Sequence, residues 1–195
     1  MKRSLVIASI MLAAALSNMA FAANPQAASP AAQKPTFPLV YDRLISSVEK
    51  EVVDAADAMP DDKFNFAPTG PGEFKGVRTY AMQIKHIAAT NYMLGAALLQ
   101  EKPPVDINNE AGPANVTSKA DVVKFLKDSF AYAHKAAAGL NESNIFEQVK
   151  APWGDRPISR LSLITIIISH PYDHYGQMVV YLRMNGIIPP ASRGQ

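Results

Sequence analysis

Apolar residues recur every three or four positions in four stretches of this chain, and this spacing constrains the fold more than any other feature. In the first stretch the repeat is formed by Phe37, Tyr41, Leu44, Val48, Val52, Ala55 and Met59. A spacing of three and four residues places side chains on one face of an α-helix. It therefore predicts a helix over residues 36–59, which Pro60 ends.

The same repeat continues in three later stretches. They predict helices over residues 77–100, from Ser118 to near Gly139, and over residues 159–185. Ser118 followed by Asp121 resembles a capping box at the start of the third helix. Signals for strands are weak, so the sequence predicts an all-α fold, a four-helix bundle. Long connections follow the second and third helices, and at least one of them is expected to cross the bundle.

The N-terminus has the pattern of an exported protein. Lys2 and Arg3 precede an apolar run, and Ala20-Phe21-Ala22 has the small-x-small form of a cleavage site. The apolar run is shorter than the roughly 20 residues that a membrane span requires. We therefore expect a secretory signal peptide that is cleaved near Ala22, a periplasmic or secreted mature protein, and no membrane span in it.

Four segments are expected along the chain. They are a signal peptide over residues 1–22, a disordered linker over residues 23–35, a helical domain over residues 36–190 and a C-terminal tail over residues 191–195. The linker is assigned from its Ala, Pro, Gln and Ser content, which cannot form a core.

Charge and composition exclude several classes of function. The chain carries 19 Lys and Arg against 17 Asp and Glu, so removal of Lys2 and Arg3 leaves the mature domain balanced. A balanced domain lacks the basic surface that nucleic-acid binding requires. There is no cysteine, which excludes disulfides, thiol nucleophiles and cysteine-based zinc sites. Any metal ligand must therefore be a histidine or a carboxylate.

Two of the four histidines lie one turn apart in the fourth predicted helix. His170, His174, Gln177 and Tyr181 share one narrow stripe, which apolar residues continue upstream, so the stripe is expected to face the core. The two imidazoles are separated by about 6 Å along the helix axis. Pro171 between them removes a helical hydrogen bond, so we expect a kink or bulge that helps to aim His170.

His86 lies in a polar stripe of the second predicted helix, together with Gln83 and Thr90. This stripe borders the core face, whereas Arg78 and Tyr92 are expected on the solvent face. A histidine pair at i, i+4 and a third histidine from a facing helix would supply three metal ligands. Such a set leaves one coordination position open for water or substrate.

The residues alone leave a second interpretation open. An HxxxH pair arises by chance in many helices, and a half-buried histidine is more often a hydrogen-bonded core residue than a ligand. The pair is not an HExxH motif, because Pro171 stands where that motif has its glutamate, and Asp173 lies off the histidine stripe. No general base is evident. His134 points away from the core of the third helix and is assigned no role.

Two segments carry a family resemblance: RTYAMQIKHIAATNYMLGAAL around His86, and SHPYDHYGQMVVYLRMNGIIPP around His170 and His174. Through them the chain resembles the DinB/YfiT-like superfamily of proposed metalloenzymes, in particular its DinB-like branch, from about Tyr41 to Pro190. The resemblance implies up-down-down-up helix order, with a crossover between the second and third helices. It also implies a divalent metal ion on His86, His170 and His174, and zinc or nickel suits three imidazoles.

These observations predict a metal-dependent hydrolase or transferase acting on an unidentified small molecule. Gln83, Thr90, Gln177 and Tyr181 would then support the ligands or line the pocket. The alternative is a non-catalytic exported module that binds a metal or a small ligand, which the missing general base favours. A homodimer through exposed helix faces is compatible with the sequence but not required by it.

Overall fold

Four α-helices account for more than half of the described chain: α1 (Phe37–Ala58), α2 (Tyr80–Leu99), α3 (Lys119–Ala138) and α4 (Arg160–Met184). The structure is a computed structural model that describes residues 34–69 and 75–194. The predicted signal peptide and nearly all of the predicted linker lie outside these residues. The helices belong to one structural unit, Pro35–Gln195. The four predicted helices are confirmed, and their ends fall close to the expected residues.

Each helix begins after a hydroxyl side chain that caps it. The Oγ atom of the N-cap residue accepts a hydrogen bond from the backbone N–H three residues later, in four pairs: Thr36 with Leu39, Thr79 with Met82, Ser118 with Asp121, and Ser159 with Ser162. A cap of this kind stabilises a helix by about 1 kcal/mol. The box predicted at Ser118 forms in part, because its hydroxyl also donates to the Asp121 carboxylate at 2.6 Å.

Helices α2 and α3 run parallel, side by side. Asn91 of α2 donates to the Ser129 hydroxyl of α3 at 3.2 Å. One turn further along both helices, Gly95 packs directly against Tyr132, where a Cβ atom would come within 2.8 Å of the ring. Contacts that advance in the same direction on both helices require parallel axes, and the missing side chain at Gly95 permits their close approach.

Helix α4 runs antiparallel to α2. Arg160 at the start of α4 donates to the carbonyl of Leu98 near the end of α2. Near the other end of α4, the Tyr181 hydroxyl donates at 3.1 Å to the carbonyl of Arg78, just before α2 begins. The C-terminal half of α4 therefore faces the N-terminal half of α2, where His86 lies.

The ends of α1 complete the helix order. Tyr80 at the start of α2 donates to the carbonyl of Ala55 at 2.6 Å, and Lys119 at the start of α3 donates to the carbonyl of Asp57 at 3.0 Å. Both α2 and α3 thus begin where α1 ends, which gives the up-down-down-up order that the resemblance implied. The connection over residues 100–118 is the crossover, and it must travel back along α2 by roughly 30 Å.

A two-stranded antiparallel hairpin precedes α4. Strand β1 (Gln148–Lys150) pairs with β2 (Pro157–Ser159), and Val149 lies opposite Ile158. The strand signals in the sequence are weak because each strand has three residues. The hairpin holds the connection between α3 and α4 against the bundle.

Side chains from all four helices form the core. Its largest fully buried members include Ile45, Met59, Tyr80, Ile84, Leu94, Leu126, Phe130 and Leu163. The expectation that Tyr92 faces solvent is wrong, because its side chain is buried against the rings of Phe125 and Tyr132. The parallel α3 covers a face of α2 that the sequence pattern placed outside.

His134 of α3 ties that helix to α1. Its Nδ1 lies 2.6 Å from the Asp42 carboxylate, and its Nε2 lies 3.1 Å from that of Glu49. Within the described residues, no helix combines the length and the apolar character that crossing a membrane requires.

Candidate metal centre

Three histidines from two helices converge at one point between α2 and α4. His170 Nε2 lies 3.1 Å from His86 Nε2 and 3.1 Å from His174 Nε2. One ligand atom of each residue falls within 4.8 Å of the others, and the side chains of His86 and His174 are buried. The two antiparallel helices thus bring together the three histidines that the sequence singled out.

The spacing of these nitrogen atoms fits a common metal ion. Zinc binds imidazole nitrogen at about 2.0 to 2.1 Å in tetrahedral geometry, which places neighbouring ligand nitrogens about 3.3 to 3.4 Å apart. The observed separations of 3.1 Å are close to that value. The three-histidine group could therefore hold a metal ion with little movement of the helices.

Hydrogen bonds at the Nδ1 atoms of His174 and His86 determine which ring nitrogen carries the hydrogen. His174 Nδ1 lies 2.5 Å from Gln83 Oε1, and His86 Nδ1 lies 3.0 Å from the backbone oxygen of Glu110. Carbonyl oxygens only accept, so each Nδ1 carries the hydrogen and donates it. The Nε2 atoms of both rings then keep free lone pairs, which is the form a metal ligand needs.

The hydrogen bond to His174 belongs to a longer chain of side chains. Gln83 Nε2 donates to Gln177 Oε1 at 2.9 Å, and Gln177 Nε2 donates to Asp173 Oδ2 at 3.3 Å. Each amide donates with its nitrogen and accepts with its oxygen, so the chain has one consistent direction. It connects His174 to an exposed carboxylate and fixes the ring between α2 and α4.

His170 differs from the other two ligands. Its Nδ1 is buried without a hydrogen-bond partner among the described residues. Pro171 follows it directly, yet residues 160–184 are α-helical without interruption. Of the kink or bulge predicted at Pro171, a bulge is therefore absent.

Burial keeps the histidine group neutral. Loss of water lowers the pKa of His170 to about 3, and the neighbouring imidazoles add to this effect. Burial, together with His86 and Arg78, lowers the pKa of His174 to about 4. Burial also lowers the pKa of His86. Neutral imidazole is the form that binds metals, so the group is prepared for a cation at neutral pH.

Comparison with known proteins places this arrangement in a family. A family model described as the DinB superfamily matches residues 44–178. The chain belongs to the DinB superfamily. A comparison with curated proteins found no significant match.

Two solved structures share the DinB fold. A DinB-like protein from Bacillus cereus ATCC 10987 is 15% identical, with a TM-score of 0.60 over 77% of this chain and 93% of that one. A conserved protein from Enterococcus faecalis is 14% identical, with a TM-score of 0.61 over 77% of this chain and 98% of that one. At these identities the likeness shows the fold.

Of the four supporting residues predicted for this DinB domain, two lie in the hydrogen-bonded chain, namely Gln83 and Gln177. Thr90 is buried one turn beyond His86, and its hydroxyl has no partner among the described residues. Tyr181 donates to the backbone of Arg78 and packs against aromatic rings. The structure thus connects the two glutamines, but not Thr90 or Tyr181, to the histidines by hydrogen bonds.

Sequence analysis missed two residues beside the histidines. Asp173 lies off the histidine stripe, but its i, i+4 spacing to Gln177 is a signal for their contact. Glu110 lies in the crossover, and its only local signal is the preceding pair Asn108-Asn109, which favours a tight backbone turn.

Proposed function

We propose that this DinB domain is an exported metalloprotein that acts as a metal-dependent hydrolase or transferase on a small molecule. The proposal rests on one observation, the convergence of three imidazoles whose ligand atoms lie within 4.8 Å of one another, with His170 Nε2 3.1 Å from the Nε2 atoms of both His86 and His174. A divalent ion held there would supply Lewis acidity at an open coordination position. Zinc and nickel both suit an all-imidazole site.

The residues around the ion would have distinct roles. His86, His170 and His174 would bind the ion as neutral imidazoles. The hydrogen-bonded chain from Gln83 to Asp173 would keep the Nε2 lone pair of His174 directed at the ion. Buried surroundings limit the access of water, which strengthens electrostatic effects on a bound substrate.

A groove toward the C-terminal end of α2 offers room for a small molecule. Its volume is ≈ 490 Å³, and it is lined by Met93 and Ala97 of α2 and by Ile107 of the crossover. This size falls in the range of small-molecule sites.

A metal assay with a matched control tests the proposal. Tag-free protein should contain about one equivalent of zinc or nickel, and a His86→Ala, His170→Ala, His174→Ala variant should contain none. His134→Ala is the control, since this histidine lies on α3 with carboxylate partners. A folded wild-type protein that takes up neither metal would refute the metal site.

Catalysis needs a separate screen. Hydrolysis of generic esters, phosphoesters and amides should disappear with a chelator and return with one metal, and transfer should be scored with added thiol or amine acceptors. A specific observation favours the non-catalytic alternative: within the described residues, the group of ligand atoms that could hold the ion consists of three histidines and includes no carboxylate that could act as a general base. Stoichiometric metal without activity on any substrate would support that alternative.

Export has its own test. The sequence supports cleavage near Ala22, so N-terminal sequencing of protein from the periplasmic fraction should begin close to Ala23. Protein that stays in the cytoplasm with Met1 intact would contradict export.

A further inference from the structure

The crossover passes directly behind His86. Because α2 and α3 are parallel, residues 100–118 must return along α2, and this route brings two backbone carbonyls onto consecutive side chains. His86 Nδ1 donates to the oxygen of Glu110 at 3.0 Å, and Lys85 Nζ donates to that of Pro113 at 2.9 Å. The crossover is therefore attached to α2 at the histidine that α2 contributes.

The backbone at this attachment is strained. Asn108, Asn109 and Glu110 have φ values of 44°, 49° and 66°, all in the left-handed region. Asparagine tolerates that region, but a glutamate seldom adopts it. Such residues persist only where surrounding contacts hold them, and they are concentrated at functional sites. The strain falls on Glu110, the residue that contacts His86.

Neighbouring contacts hold this strained turn in place. The backbone N–H of Asn108 donates to the Asp106 carboxylate at 2.9 Å, and the backbone N–H of Gly112 donates to the Ile107 oxygen at 3.0 Å. Gly112 has a φ of 72°, and a Cβ there would lie 3.0 Å from the ring of Phe125. The turn is thus packed against α3 as well as α2.

The side chain of Glu110 faces the same nitrogen as its backbone. Its Oε2 lies 3.7 Å from His86 Nδ1, and the side chain is 37% exposed. A carboxylate and a carbonyl behind an imidazole both favour a hydrogen on Nδ1 and increase the electron density at Nε2. Histidine ligands of metals commonly have such acceptors behind them.

We propose that Glu110 is a positioning residue of the metal centre. Its backbone carbonyl fixes the Nδ1–H form of His86, and its carboxylate strengthens the hold of His86 on a divalent cation. The inference rests on the metal function proposed above. In this role, the positive φ of Glu110 is the backbone strain that accompanies its contact with His86.

Two substitutions separate the effect of the Glu110 carboxylate from the effect of the backbone conformation at residue 110. Glu110→Gln keeps the backbone and the side-chain length but removes the charge. Glu110→Gly removes the side chain and relieves the positive φ, because glycine adopts it freely. Glu142→Gln is the matched control, since Glu142 is exposed on the connection after α3.

The first measurement is zinc affinity by competition with a chromophoric chelator. Substitutions of residues that support metal ligands typically weaken binding by 10- to 100-fold, and we expect about tenfold for Glu110→Gln because its carboxylate is partly exposed. Glu110→Gly should bind more weakly still, yet its zinc-free form should unfold at an equal or higher temperature. A merely structural residue would lower both together, and Glu142→Gln should change neither.

The second measurement is the ring protonation of His86 in zinc-free protein, from long-range ¹H–¹⁵N NMR. Wild type, Glu110→Gln and Glu110→Gly should all carry hydrogen on Nδ1, because each of them keeps the backbone carbonyl of residue 110. Wild-type affinity in both Glu110 variants, or hydrogen on Nε2 in the wild type, would overturn the inference. If the wild type binds no zinc, the proposed function fails instead, and the NMR result still decides the role of the carbonyl.

Discussion

Zinc-loaded protein is expected to unfold roughly 8 to 16 °C above the same protein in chelator. A ligand that binds only the folded state at about a thousand times its dissociation constant adds about 4 kcal/mol to the free energy of unfolding. In a domain of this size each kcal/mol raises the unfolding midpoint by about 2 to 4 °C. The effect should be large because the three ligands come from two helices and separate on unfolding.

His170→Ala should abolish this difference. Two remaining histidines provide a much weaker site, so the unfolding temperature of the variant should be nearly the same with zinc and with chelator. His134→Ala should keep the full zinc response, because that histidine lies on α3 and its two ring nitrogens face Asp42 and Glu49 of α1. Differential scanning calorimetry would measure all three proteins. A wild type that unfolds at one temperature in both conditions would exclude a tight zinc site.

Local patterns were sufficient to predict the helices and the histidine set. Helix periodicity depends on neighbours three and four residues away, so the sequence alone located α1 to α4. The same rule placed His170 and His174 on one face, and the polar stripe around His86 indicated a second buried polar face. The DinB-like resemblance then joined the three residues into one site.

The contacts of the supporting residues could not be predicted from the sequence, because they depend on how the helices pack. Gln83 and Gln177 lie on different helices, and only the antiparallel contact of α2 with α4 joins them at 2.9 Å. The burial of Tyr92 likewise follows from the parallel α3. Neither contact is encoded in a pattern of nearby residues.

The contact of Glu110, in the crossover loop, could not be predicted from nearby residues either. Its contact with His86 requires the crossover to return along α2, and its positive φ depends on the packing of Gly112 and its neighbours. An Asn-Asn pair in a sequence predicts a turn but not what the turn contacts. The contact behind His86 in the candidate metal centre therefore depends on packing between distant segments rather than on local propensity.

Zinc-free protein is expected to lose stability as the pH falls from about 6.5 to about 3. In the folded state burial lowers the pKa of His170 to about 3 and that of His174 to about 4, whereas the ordinary value is 6.5. Between these values the unfolded chain binds more protons than the folded one. The free energy of unfolding therefore decreases as the pH falls through this window, by a few kcal/mol in total.

Urea unfolding in chelator at several pH values between 7 and 4 would measure this loss. In a His170→Ala, His174→Ala variant, the free energy of unfolding should depend less steeply on pH than in the wild type, because the two buried imidazoles are missing. The carboxylates are the same in both proteins, so their contribution cancels in the comparison. Equal slopes in the wild type and the double variant would show that the buried imidazoles are not held neutral. With zinc bound the acid loss should be steeper, because protons then compete directly with the metal for the same Nε2 lone pairs.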